Sequence, residues 1–155
     1  MFRRRVVTAV FLAWAASSCG SDSEPTVAPA LDDLQGEWSM SWTEAGEGVS
    51  CAWTEVTLSL PDAAKGLPAR WGGGHGSCDG LVDSDNLVLV NFVVDSLTVE
   101  DGRIVFVPRG STYRFEGRVT AEEMSGTMSA NPFYPDAGTQ VTTMGRWQAV
   151  RAVSP

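Results

Sequence analysis

Apolar and polar residues alternate one for one through most of this chain, and that period of two is what a strand half-buried in a sheet requires. In EWSMSWTE, Trp38, Met40 and Trp42 fall on one face and Ser39, Ser41 and Thr43 on the other. In CAWTEVTLSL, Val56, Leu58 and Leu60 alternate with Glu55, Thr57 and Ser59; in TYRFEGRV, Tyr113, Phe115 and Val119 stand against Arg114, Glu116 and Arg118. SLTVEDGRIVFV is two β-rich runs joined by Asp101-Gly102, a tight-hairpin signal. EMSGTMSA and TQVTTMGRWQAV supply further strands, and no segment keeps a helical period. The spacing predicts strands near 36–43, 51–60, 69–78, 86–94, 96–100, 103–107, 112–119, 123–130 and 139–152. That makes eight or nine, because 86–100 reads as one bent strand or as two. Short strands separated by Gly, Pro and Asp turns predict an all-β fold, an antiparallel up-and-down β-barrel of about eight strands. Closing the sheet removes the free edges that an open one would carry. The loop NPFYPDAG is too aromatic for a simple linker and is expected to cover one end.

The first residues obey a different rule. Arg3, Arg4 and Arg5 precede an apolar run from Val6 to Ala16 and then small residues up to Cys19. This is the order of an export signal, with an apolar run too short to stay in a bilayer as a spanning helix. Ala16-Ser17-Ser18-Cys19 resembles the lipobox of bacterial lipoproteins, although Ala16 stands where that family prefers leucine. The resemblance implies cleavage before Cys19 and acylation of its thiol. Residues 1–18 are then the signal peptide, residues 19–33 an acylated cysteine and a flexible tether, and residues 34–155 the barrel domain. Gly20 is not the aspartate associated with inner-membrane retention in some bacteria, so the expected place is the cell envelope, at the outer membrane. An ordinary cleavage nearby is the alternative, and would leave a secreted protein. The tether GSDSEPTVAPALDD mixes Ser, Pro and acids with no hydrophobic period.

Cysteine arithmetic agrees with that division. Of three cysteines, assigning Cys19 to lipid leaves Cys51 and Cys78 as a pair, and an oxidising envelope makes their disulfide the default. Closing a loop of that length contributes about 3 kcal/mol by constraining the unfolded chain. If the two cysteines face each other on adjacent antiparallel strands, Trp53 falls opposite Gly76, Glu55 opposite Gly74 and Thr57 opposite Gly72. The glycines of RWGGGHGSCDG then make room for Trp53 and mark a bend.

Charge excludes some partners. The full chain carries −8, and losing residues 1–18 removes three arginines and no acid, which takes the remainder to −11. Such a surface repels phosphate backbones, so no nucleic acid is expected. Anionic lipid is disfavoured as well, and membrane contact would have to come through the N-terminal lipid, for which two or more acyl chains suffice.

The domain opens Leu34-Gln35-Gly36-Glu37-Trp38 and closes Gly145-Arg146-Trp147-Gln148-Ala149-Val150-Arg151. The opening resembles the Gly-x-Trp start of lipocalins and the wider calycin group. In lipocalins a basic side chain near the end packs over that tryptophan, so the resemblance implies Arg151, or else Arg146, against Trp38 as a cation–π seal. A second resemblance shares the barrel. Gly36-x-Trp38, Cys51 with the alternating Val56 and Leu58, and Cys78 look like the small disulfide-bonded inhibitors of secreted metalloproteases, which insert an N-terminal segment into the protease cleft. That would make residues 20–33 the working part, but a segment fixed by lipid at Cys19 offers no free amine to a metal.

Catalytic chemistry is thin. His75, the single histidine, has Ser77 and Asp79 nearby, but on a strand these share a face at steps of roughly 6–7 Å, too far for a direct relay. The glycines precede His75, unlike the oxyanion loop of lipases. Asp79, Asp83, Asp85 and Asn86 lack the spacing and closing glutamate of a calcium loop and read as turn residues. No metal and no cofactor is expected. Trp38, Met40, Trp42, Tyr113, Phe115, Met124, Met128 and Trp147 form the expected interior, as a filled core or as the lining of a ligand site. The chain is therefore read as a non-catalytic protein that binds a small apolar ligand or an envelope protein. The alternative is an inhibitor of a secreted metalloprotease, and His75 chemistry ranks last.

Overall fold

The computed structural model describes residues 28–62, 66–80, 85–131, 133–134 and 139–152. Cys19 and most of the expected tether lie outside the described residues.

Among the described residues there are twelve strands: β1 (Gly36–Gly46), β2 (Val49–Leu60), β3 (Arg70–Gly72), β4 (His75–Asp79), β5 (Asp85–Val88), β6 (Phe92–Glu100), β7 (Arg103–Pro108), β8 (Arg114–Val119), β9 (Glu123–Ala130), β10 (Phe133–Tyr134), β11 (Thr139–Gln140) and β12 (Thr143–Arg151). Ten belong to one antiparallel sheet, which closes on itself because β1 pairs with both β12 and β2. The closed circuit is β1-β12-β9-β8-β7-β6-β3-β2, an eight-stranded antiparallel barrel, and β4 and β5 extend from β2 as a flap. The segment 86–100 is two strands, broken at residues 89–91, and 69–78 is likewise broken after Gly72. Strand 139–152 begins later than its alternation suggests. Thr139–Gln140 pairs instead with Phe133–Tyr134 in a separate hairpin, and the rest of the loop to residue 138 lies outside the described residues.

Strict alternation would put Trp53 and Val56 on opposite faces of β2. Both are buried, because a bulge at Thr54–Glu55, with Glu55 at φ +57°, inserts one residue and resets the inward parity from odd to even. β3 and β4 bend at the same level, and the register therefore survives the kink. Cys51 pairs with Cys78, Trp53 with Gly76 and Thr57 with Gly72, while the expected pair of Glu55 with Gly74 is replaced by the bend. Cys51 and Cys78 are disulfide-bonded. Trp53 lies flat on Gly76, where an added Cβ would come within 2.5 Å of the indole.

One end of the barrel is sealed. A 3-10 turn, Leu31–Leu34, drives Leu34 into the core, and the Trp38 indole N–H donates to the Leu34 carbonyl at 2.9 Å. The folded part of the chain thus starts ahead of residue 34. The Arg151 guanidinium sits 4.6 Å above the Trp38 ring and donates to the carbonyls of Asp33, Gln35 and Ala121. Arg146 is exposed on β12. Above this seal Met40, Val56, Leu58, Ile104, Phe106, Phe115, Met124 and Met128 fill the barrel. Burying each such side chain contributes roughly 1.5–3 kcal/mol against the entropy of ordering the chain.

Candidate functional site

Toward the β1–β2 hairpin the interior turns aromatic and polar. Trp42 is stacked between Trp53 and Trp71, at centroid distances of 5.4 and 5.5 Å, and meets Tyr113 and Phe115 edge-on. Phe115 continues the cluster to Phe106, stacked at 4.7 Å, and to Trp147.

At the edge of this cluster lies an acid. Glu44 is 1% exposed, and its carboxylate accepts hydrogen bonds from Trp53 Nε1 at 3.0 Å, Tyr113 Oη at 2.8 Å and Thr143 Oγ1 at 2.5 Å, with Trp42 Nε1 at 3.5 Å. An isolated charge in an apolar barrel would be untenable; here β1, β2, β12 and the loop before β8 each bring it a donor. Glu44 was not among the residues expected inside. Its signal was parity, since it continues the 38, 40, 42 face of β1, and only its charge argued for the surface.

The other side of the cluster is open. β5 pairs with β4 on one side, and β6 pairs with β7 only from Val94 onward, so the wall separates between β5 and the β7–β8 loop. A cavity of about 350 Å³ occupies that gap, floored by Trp53, Trp71 and Phe92, walled by Leu89 and Tyr113, and rimmed by Val88, Val90 and the residues 110–112. Val88 and Val90 are about two-thirds exposed at its entrance. None of the lining side chains is charged. The volume is near the lower end of small-molecule sites. A larger depression, about 610 Å³, lies over β1, β2, β9 and β12, bordered by the exposed Thr43, Thr54, Thr127, Arg146 and Gln148. Polar side chains on an outer sheet face give a ligand little to exclude water with, so the aromatic cavity is the better candidate.

The expected site residues divide accordingly. Trp38 and Arg151 lie at the sealed end, and Met40, Met124 and Met128 in the filled core. Trp42, Phe115 and Trp147 belong to the aromatic cluster, and Tyr113 joins it to the cavity. Leu89 and Phe92, which also line the cavity, were outside the expected interior set. His75, Ser77 and Asp79 are exposed on the outer face of β4, and His75 pairs with Thr54 and Val88. Of the acidic run, Asp83 and the side chains of Asp85 and Asn86 lie outside what is described.

No protein-family model matches this chain, and no curated protein matches it. Among solved structures it is similar to the S-type phycobiliprotein lyase CPES from Guillardia theta, at 14% identity and a TM-score of 0.46, over 81% of this chain and 92% of that one. That protein is named a lyase. The expectation that this chain is not an enzyme is corrected on that finding.

Proposed function

We propose that this protein is a lipid-anchored component of the bacterial cell envelope that holds a small, mainly apolar molecule in the cavity between β5 and the β7–β8 loop. The cavity carries the proposal. It is lined by four aromatic side chains and no charge, and it lies where the barrel wall parts, so a guest can enter without unfolding a strand. The order of Arg3–Arg5, the apolar run and Cys19 supports the anchor, with the outer membrane as its place. The inhibitor reading needs a free arm at residues 20–33; Leu31–Leu34 are built into the barrel base, which shortens that arm.

The anchor and the cavity are tested separately. Replacing Cys19 by serine should move the protein from the detergent phase to the aqueous phase in Triton partitioning and remove the mass of the acyl groups. Purified protein should brighten the neutral polarity-sensitive dye N-phenylnaphthylamine, and native mass spectrometry should find a co-purifying molecule. A protein with no bound dye and no co-purified molecule would leave the cavity without a ligand role, and an unacylated Cys19 would remove the anchor.

A further inference from the structure

Arginines gather on one outer face of the barrel. Arg103 on β7, Arg114 and Arg118 on β8 and Arg146 on β12 stand exposed along the stretch β7-β8-β9-β12 of the circuit. Arg103 and Arg118 are directly opposite each other in the ladder, and like charges so placed weaken a sheet. From Arg118 the outward row passes to Ser125 and Gln148, and the next row runs from Glu116 through Thr127 and Arg146 to Thr43. Arg109 is paired with Asp95, and Arg114 with Glu116. Arg103, Arg118 and Arg146 make no ion pair among the described residues, although Glu100 stands across the ladder from Arg103. In a chain of 19 acidic and 11 basic residues carboxylates are plentiful, so three arginines without one, two of them face to face, suit an anion that comes from outside.

The surface at these arginines is concave. A depression of about 490 Å³ holds Arg103, Arg118, Ser125 and Thr127, and it shares Ser125, Gly126 and Thr127 with the outer depression of about 610 Å³ that holds Arg146. Together they cross from β7 to β2, five steps between strands, which is about 24 Å. Arg118 and Arg146 are two steps apart, about 10 Å. Between and beyond them lie hydroxyls and the Gln148 amide, groups that both donate and accept.

That arrangement chooses among anionic partners. An acidic peptide is ordinarily held through its backbone at a free sheet edge, and this face is in the middle of a closed circuit. A nucleic acid strand stacks on exposed aromatic rings, and Trp42, Trp53 and Trp147 behind this face are buried. A sugar chain with carboxylates meets both kinds of group present, its ring hydroxyls the Ser, Thr and Gln side chains and its carboxylates the planar forks of arginine. Held by charge and hydrogen bonds, it does not need the dry surface that an apolar guest requires.

We propose that this face binds an acidic polysaccharide, a chain of uronate sugars, with Arg103 and Arg118 together holding one carboxylate and Arg146 another farther along the chain. The proposal depends on neither the cavity nor the anchor. Titration calorimetry of the full protein with a galacturonate tetramer tests it, beside the galacturonate monomer, a neutral dextran oligomer and a glutamate tetramer. The galacturonate tetramer should bind roughly tenfold more tightly than the monomer or the glutamate tetramer, the dextran should not bind, and raised salt should weaken the complex. Arg103→Ala with Arg118→Ala, and separately Arg146→Ala, should each cost about tenfold in affinity, the scale of a charge-assisted hydrogen bond, while Arg109→Ala removes the same charge elsewhere and should change nothing. All these side chains are exposed, and an unaltered urea midpoint verifies that each variant is folded.

No binding of the galacturonate tetramer, or binding that the arginine variants leave untouched, overturns the proposal. Equal affinity for dextran overturns the role of charge, and a glutamate tetramer that binds as tightly overturns the sugar and assigns the face to acidic peptides. If the galacturonate tetramer displaces N-phenylnaphthylamine, its site is the cavity and the outer face is refuted.

Discussion

Replacing Glu44 by leucine should cost about 3–4 kcal/mol of folding stability, although leucine is closer to what a barrel interior ordinarily holds. The figure follows from what the carboxylate serves. Trp53 Nε1 and Thr143 Oγ1 belong to residues that are 8% and 0% exposed, and both lose their acceptor. Each buried donor left unpaired costs about 1–3 kcal/mol. Tyr113 is half-buried beside the cavity, so its hydroxyl can turn to water and adds little. Burying leucine in place of the acid returns about 1 kcal/mol. Glutamine separates hydrogen bonding from charge. Its carbonyl can keep the Oε1 contacts to Trp53 and Tyr113, and its amide faces Thr143, whose hydroxyl can turn to accept, so the cost should be about 1 kcal/mol. The assay is urea unfolding followed by tryptophan fluorescence with the disulfide intact. At a slope of about 2 kcal/mol/M, Glu44→Leu should lower the midpoint by roughly 2 M and Glu44→Gln by about a quarter of that, with the slope unchanged. If Glu44→Leu unfolded within about 0.5 kcal/mol of the unaltered protein, or if glutamine cost more than leucine, the account of Glu44 as the acceptor for this cluster would be wrong.

Other perturbations should act locally. Reducing the Cys51–Cys78 bond should lower stability by about 3 kcal/mol, read as the difference between urea midpoints with and without dithiothreitol; no difference would mean that the loop it closes is already restrained. Gly76→Ala puts a Cβ within 2.5 Å of the Trp53 ring and should cost about 1–3 kcal/mol in the same assay. Arg151→Met should cost about 2–3 kcal/mol, since it removes three charge-assisted bonds to carbonyls and the contact over Trp38 at a partly buried site; lysine, with a single point charge, should recover only part of it.

The fold was legible because a period of two, once established, fixes which residues meet inside. Trp38, Met40 and Trp42 needed no partner information to be placed on one face, and the cysteine pair was enough to set Trp53 over Gly76. What escaped were departures from the period. The bulge at Thr54–Glu55 depends on how β1 and β2 twist against each other, and nothing in CAWTEVTLSL marks the inserted residue except that Trp53 and Val56 both have to go inside. The break at 89–91 falls in LVLVNFVVD, where apolar residues stand on both faces and alternation gives no direction. The cavity is a consequence of that break.

The N-terminal segment enters the barrel at its sealed end, where Ala28 lies beside the β6–β7 turn at Gly102 and Arg151 of the last strand holds the carbonyls of Asp33 and Gln35. Force applied through this segment would therefore be carried first by the Arg151 clamp, which ties the first and last strands of the barrel, and not by the aromatic half of the molecule. A protein hung from its N-terminus would bear mechanical load at one pole and exchange its guest near the other, so tension could fray the seal before it altered the cavity.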